Sequence, residues 1–273
     1  MTVSESAEYY DQIAATYRAC YRAQSPGGYA LWVRQQRVLE LLDGRGGKVL
    51  DVGCGPGVLA RELVNRGYET WGLDASPKMI EHCRRDIGER RDANFVVGDA
   101  AHLVFADGSF DAVICMGVIG SIGAGEAAIK EMIRVLKPNG SLLISFPNLL
   151  SPYAAWRAFV FYPTVALIRP VYYSLVGRPA PPAVYNLSWC RQLRSRGVFH
   201  GILDTAGRTR KLMAKDGVEV TDIVYFYFNV LLSPIDELLG RPALALSKSL
   251  ERLRFGRLKW LGAGFVVKAR KLG

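Results

Sequence analysis

"KVLDVGCGPGVLARELVNRGYETWGLDAS", residues 48–76, decides the fold. An apolar run (48–53) enters three spaced glycines, an amphipathic segment follows (58–67), and a second apolar run (69–76) ends on an acid. Strand, turn, helix and strand in so few residues make a βαβ unit, which requires a parallel sheet. Gly53, Gly55 and Gly57 allow a tight turn and a close approach of backbone to ligand. Taken alone the turn is open to other readings: an ordinary βα turn, or a dinucleotide site, since "GPGVLA" (55–60) also fits that spacing. Asp51, just before the glycines, would sit poorly beside a pyrophosphate and well beside a cationic ligand or its ammonium group.

The alternation continues downstream. "PKMIEHCRRDI" (77–87) reads as a helix, "ANFVVGDA" (93–100) and "FDAVICMG" (110–117) as strands, "AAIKEMIRVL" (127–136) as a helix stopped by "KPNG", and "SLLISF" (141–146) as the fifth strand. This predicts an α/β fold with a doubly wound, mostly parallel sheet. Ligands of such sheets bind at the carboxyl ends of the strands. Two further acids fall there. Asp74 ends the second strand, where a carboxylate can accept from both ribose hydroxyls. Asp99 ends the third, where it could hold an adenine amino group while the Ala100 N–H meets a ring nitrogen. Each acid singly is better explained as a helix cap or a solvated loop residue; three in register with the glycines are not.

Residues 48–147 resemble a class I S-adenosylmethionine-dependent methyltransferase. The resemblance rests on "VLDVGCGPG", "GLDASPKMI", "GDAAHLVFADGSFDAVICMG" and "RVLKPNGSLLISFPN", in that order. It implies S-adenosylmethionine as cofactor, with Gly53, Gly55 and Gly57 cradling the methionine part and Asp51 beside them. Asp74 with Ala75 becomes the ribose end, Asp99 with Ala100 the adenine end. Cys115 and Met116, just past the fourth strand, would line the cofactor near its sulfur. It also implies a seven-stranded sheet whose last strand is antiparallel: a helix over 204–217, a sixth strand over 218–228 and a seventh over 264–271. The opening segment 1–47 is helical. Within it Tyr10, Ile13, Ala14, Tyr17 and Tyr21 share a face that would fold over the cofactor as a lid, Tyr17 being the site candidate, or would simply pack on the sheet.

Two stretches exceed this pattern, 148–203 after strand five and about 229–262 between strands six and seven. Both leave the sheet from its carboxyl edge, so they are expected to cap the active site. The charge changes there too. Residues 1–147 hold 16 Lys/Arg and 18 Asp/Glu, whereas 148–273 hold 19 and 7, within a total of +10. "AFVFYPTVALIRP" (158–170) is greasy, but Arg157, Pro163, Arg169 and Pro170 interrupt it too often for a membrane span, which needs about 20 apolar residues. Aromatics and aliphatics interleaved with cations fit a bilayer interface. The expectation is peripheral contact through 153–176 and 247–260, a buried cap with a solvated basic face being the alternative.

Half of the residues are apolar, enough for a full core. The N-terminus "MTVSESAEYYD" has neither a basic nor an apolar signal region. Cys20, Cys54, Cys83, Cys115 and Cys190, odd in number and never in a C-x-x-C pair, argue against disulfides or zinc, as do the dispersed His82, His102 and His200. The expected protein is therefore cytoplasmic, at the inner face of a membrane. It would methylate a hydrophobic small molecule or lipid-linked acceptor by in-line attack, positioning being the main catalytic contribution. If a general base is needed, "MGVIGSIG" after strand four offers none, and His200 is the ionisable candidate. Nucleic acid is a poor fit, since a backbone groove has no use for long Val/Leu/Phe blocks. RNA methylation and a non-catalytic cofactor-binding scaffold are the competing readings, a nicotinamide-dependent oxidoreductase a distant fourth.

Overall fold

Val49, Leu50, Asp51 and Val52 are all buried in β1 (Lys48–Val52), as a strand covered on both faces requires. In this computed structural model β1 lies centrally in a seven-stranded sheet of order β3-β2-β1-β4-β5-β7-β6. The structure describes residues 3–21, 25–42, 44, 46–88, 90–120, 122, 124–148, 150–156, 160, 164, 168, 206–228, 239–253 and 256–273. β1 pairs in parallel with β2 (Glu69–Asp74) and with β4 (Phe110–Met116); β2 pairs with β3 (Ala93–Val97), and β4 with β5 (Leu136–Pro147). β7 (Gly264–Lys271) runs antiparallel between β5 and β6 (Val218–Phe226). Strand order reverses between β1 and β4, which opens a crevice at their carboxyl ends.

The helices follow from their stripes and caps. α1 (Val3–Tyr17) continues as a short turn over Arg18–Tyr21, and α2 (Pro26–Leu41) starts behind Ser25, whose side chain accepts from the Gly28 N–H. α3 (Val58–Asn65) buries Leu59, Ala60, Leu63 and Val64. α4 (Pro77–Ile87) has Pro77 in its first turn and Ser76 as cap, and buries Met79, Ile80 and Cys83. α5 (Gly125–Val135) buries Ala128, Ile129, Met132 and Ile133 against the sheet face carrying Leu50, Val52, Phe110 and Phe146. The opposite face carries Val49, Ile114, Leu143 and Val266 and receives Tyr29, Val33 and Val38 of α2 with Leu59 and Leu63 of α3. Each fully buried side chain of this size contributes about 1.5–3 kcal/mol.

Two expectations differ in detail. The helix ends just before "KPNG", as expected, but the fifth strand begins at Leu136 instead of Ser141, and a register shift takes the extra residues between Phe110↔Leu136 and Ala112↔Ser141. Asn139 takes φ 63° there, a left-handed conformation asparagine tolerates. The second insertion contains a helix, α8 (Arg241–Leu253), that packs along α2. Its Glu251 forms a buried ion pair with Arg37 at 2.6 Å and accepts from the Tyr227 N–H at 3.0 Å. From the sequence this insertion is expected over the active site, with 247–260 at a bilayer or in a buried cap; its helix α8 docks on α2. Of the first insertion, residues 148 and 150–156, which include α6 (Pro152–Trp156), and residues 160, 164 and 168 are described; α7 (Ala206–Lys215) then returns the chain to the sheet. The greasy run is thus largely outside the described residues. No helix among the described residues is long and apolar enough to cross a membrane.

Candidate active site

The carboxyl ends of the first four strands surround one pocket with an empty volume of about 730 Å³, its open mouth included. The turn after β1 forms one wall. The Gly53 and Cys54 N–H groups both donate to the Leu73 carbonyl, at 2.7 and 3.1 Å, folding the turn back on β2. Gly53 has φ 73°, and a Cβ there would lie 2.0 Å from Val118 Cγ2. Glycine is therefore required for the backbone to pass this close to the β4 loop.

Asp74 binds that turn to the next helix. Its Oδ2 accepts from the Gly55 N–H at 2.8 Å and its Oδ1 from the Ser76 N–H at 2.9 Å. Burial raises its pKa, and these backbone donors offset only part of that rise. Each oxygen keeps a lone pair for a ligand hydroxyl. Farther along the pocket, Asp99 Oδ1 accepts from the Ala101 N–H at 2.9 Å, and His102 Nδ1 lies 2.9 Å from Asp99 Oδ2. Ala100 lines the wall beside it.

α1 roofs the pocket. Ser6, Tyr10, Tyr17 and Tyr21 line it, and the tyrosine rings pack edge to face, 5.7 Å apart between Tyr10 and Tyr17 and 5.9 Å between Tyr17 and Tyr21. Asp11 fastens the roof by accepting from Ser76 Oγ and, at 3.1 Å, from the Lys78 N–H at the start of α4. Arg18 pairs with Asp86 at the other end of that helix.

Under the roof Asp51 lies within electrostatic reach of Arg34. Asp51 is 1% exposed, and its pKa is pushed up to about 7, first by burial, then by Asp74, against the opposing pull of Arg34. The Arg34 guanidinium and the Tyr17 hydroxyl are hydrogen-bonded to Tyr21, whose own pKa burial raises. Arg34 also lies against Gly117, where a Cβ would stand 2.5 Å from Nη1. Asp51 Oδ2 and Arg34 Nε are both buried without a hydrogen-bond partner among the described residues. An unmet acceptor and an unmet donor under one roof can serve a ligand with an ammonium and a carboxylate, the two ends of an α-amino acid.

A methyltransferase-domain family profile matches residues 50–144. Over 187 residues the chain is 32% identical to a demethylmenaquinone methyltransferase of Renibacterium salmoninarum, covering 67% of this chain and 70% of that one. The chain belongs to the class I S-adenosylmethionine-dependent methyltransferases. It is also 35% identical over 137 residues to a demethylmenaquinone methyltransferase of Beutenbergia cavernae, covering 50% of this chain and 55% of that relative. Against that relative the chain spans about half the length. The fold matches that of a Thermotoga maritima S-adenosylmethionine-dependent methyltransferase described as a possible histamine N-methyltransferase. The TM-score is 0.60 at 20% identity, over 96% of this chain and 98% of that one. At that identity the likeness concerns the fold.

In this methyltransferase the pocket gathers Gly53, Gly55, Asp74, Ala75, Asp99, Ala100, Met116 and Tyr17, all singled out from the sequence. Three others lie outside its lining. Asp51 is beneath it. Gly57 caps α3 with φ 74°, and a Cβ there would meet Cys83 Sγ at 2.9 Å, so this glycine serves the approach of α3 to α4. Cys115 is fully buried in β4, its thiol pushed up to about 12 chiefly by burial. Strand alternation turns Cys115 into the core below one sheet face, whereas Met116, the next residue, reaches the pocket. His200 lies outside the described residues. Sequence reasoning missed Arg34, Asp11, Val118 and Ile122. Arg34 lies 17 residues before Asp51 on a separate helix, and no local spacing signals their meeting.

Proposed function

We propose that this methyltransferase transfers the methyl group of S-adenosylmethionine to a lipophilic, quinol-like acceptor, the class suggested by the names of its demethylmenaquinone relatives. The observation that carries the reading is the continuity of one pocket. The acidic strand ends Asp74 and Asp99 line the same cavity as Tyr17, Tyr21, Met116, Val118 and Ile122.

When bound, S-adenosylmethionine supplies an electrophilic methyl carbon on a positively charged sulfur. Asp74 accepts from the ribose hydroxyls while still holding Gly55 and Ser76. Asp99 and Ala100 take the adenine edge. Asp51 meets the ammonium and Arg34 the carboxylate, which satisfies the two orphaned buried atoms. Met116, Val118 and Ile122 hold a flat apolar ring, and the tyrosine roof keeps water out, so the chain acts mainly by positioning and desolvation.

The test is transfer of a tritiated methyl group from the cofactor to cell extract, followed by partition between organic and aqueous phases. Label in the organic phase, on a quinol in particular, is expected. Label confined to the aqueous phase sinks the lipophilic reading, and its destruction by nuclease would make RNA the acceptor. Protein that retains S-adenosylhomocysteine but labels nothing would be a scaffold.

A further inference from the structure

A groove between α2 and α8 lies apart from the pocket, lined by Tyr29, Trp32, Lys248 and Arg252 together with the Arg37–Glu251 pair. Trp32 is 42% exposed even though it stacks on Tyr29 at 5.7 Å. The Lys248 ammonium lies 5.8 Å from the centre of the same Tyr29 ring. On α8 the inward stripe Ala243, Leu244, Ser247 and Glu251 turns Lys248 and Arg252, one helical turn apart, to solvent.

The groove's charges select its occupant. Arg37 engages both Glu40 and Glu251, at 2.7 and 2.6 Å. Lys248 and Arg252 enter no ion pair among the described residues, so they remain as surplus positive charge. Cations flanking an exposed indole match a bilayer interface, where the indole sits at headgroup depth and the cations meet phosphate. A single-stranded nucleic-acid track would use the same ring and cations, so the lipophilic acceptor, which resides in a bilayer, selects the membrane. α2 links the two regions, since it carries Trp32 on this groove and Arg34 at the cofactor pocket.

We propose that the α2–α8 face docks on a bilayer surface bearing anionic phospholipid. The proposal rests on the lipophilic-acceptor reading, because such an acceptor resides in a bilayer, and it names the surface that meets it. The experiment is co-sedimentation of the full chain with phosphatidylcholine vesicles, with and without phosphatidylglycerol. Binding is expected to need phosphatidylglycerol. Lys248→Ala/Arg252→Ala should weaken it roughly thirtyfold, about fivefold for each cation removed near an anionic surface. Both side chains are exposed, so the variant should fold, which circular dichroism checks; Trp32→Gln should weaken binding independently of charge. Methylation of a short-chain, water-soluble quinol should be unchanged in all variants. Equal binding to neutral vesicles, or undiminished binding by the charge variant, overturns the proposal, as does a preference for RNA over vesicles. Wild-type protein that methylates the soluble quinol but ignores vesicles would sink the docking face alone. Vesicle binding without methylation of any quinol would support the face and sink the acceptor reading.

Discussion

Replacing Asp51 with asparagine is the sharpest test of the site's electrostatics. The carboxyl of Asp51 is held at about 7 in the folded chain, against its ordinary 3.8, because burial and Asp74 disfavour its charge more than Arg34 favours it. Below the unfolded value both states carry the proton. Between the two values only the folded chain keeps it, so stability falls as pH rises, and the loss is complete once pH passes the folded value. A displacement of about three pH units corresponds to about 4 kcal/mol. The amide of the Asp51→Asn variant has no proton to lose, so the stability of the variant relative to wild type should improve by about 4 kcal/mol between about pH 4 and pH 8. Any pH-independent cost of the substitution cancels in that comparison. The assay is urea denaturation of ligand-free protein across a pH series. Titration calorimetry should show the opposite consequence: wild-type affinity for S-adenosylmethionine rises as pH passes 7, when Asp51 ionises to meet the ammonium, and the variant loses this rise. Parallel stability curves would mean that water reaches Asp51 and that its carboxyl titrates normally, which removes the basis for the ammonium contact.

The remaining predictions concern the walls of the site and its support. Gly53→Ala places a Cβ 2.0 Å from Val118 at φ 73°; a strain of about 1–3 kcal/mol and a displaced turn should abolish cofactor binding in calorimetry while leaving the circular dichroism spectrum intact. Asp74→Ala removes the acceptor of the Gly55 and Ser76 N–H groups, each bond to a charged group contributing about 1.5–3 kcal/mol, and should raise the cofactor dissociation constant at least ~100-fold. A smaller change would put the ribose elsewhere. Glu251→Ala leaves Arg37 buried without its main counter-charge and should cost about 3–5 kcal/mol in urea denaturation, with Glu251→Gln recovering part through the Tyr227 N–H. A loss under about 1 kcal/mol would show that water replaces the pair.

The βαβ alternation, the glycine turn after β1 and the acids at the strand ends were legible in the sequence because each is a local matter. Apolar runs of strand length and amphipathic stripes of helix length are written in consecutive residues, and the parallel sheet places every strand end on one edge. Asp74, Asp99 and Gly53 could thus be assigned to a common site without coordinates. The resemblance of residues 48–147 supplied the rest of the cofactor set, but it did not distinguish Cys115 from Met116. Adjacent strand residues point to opposite faces, and only the packed sheet shows which face meets the pocket.

Contacts between distant segments were decided by the tertiary structure alone. Arg34 reaches Asp51 and Gly117 because α2 packs across the sheet, and α8 settles on α2 because Glu251 finds Arg37, 214 residues away along the chain. The basic second half announced an unusual surface, yet which cations remain exposed depended on which carboxylates Arg37 had already engaged. Sequence determines what each segment can bury or ionise; which segments meet is settled by the competition of all their faces for one core.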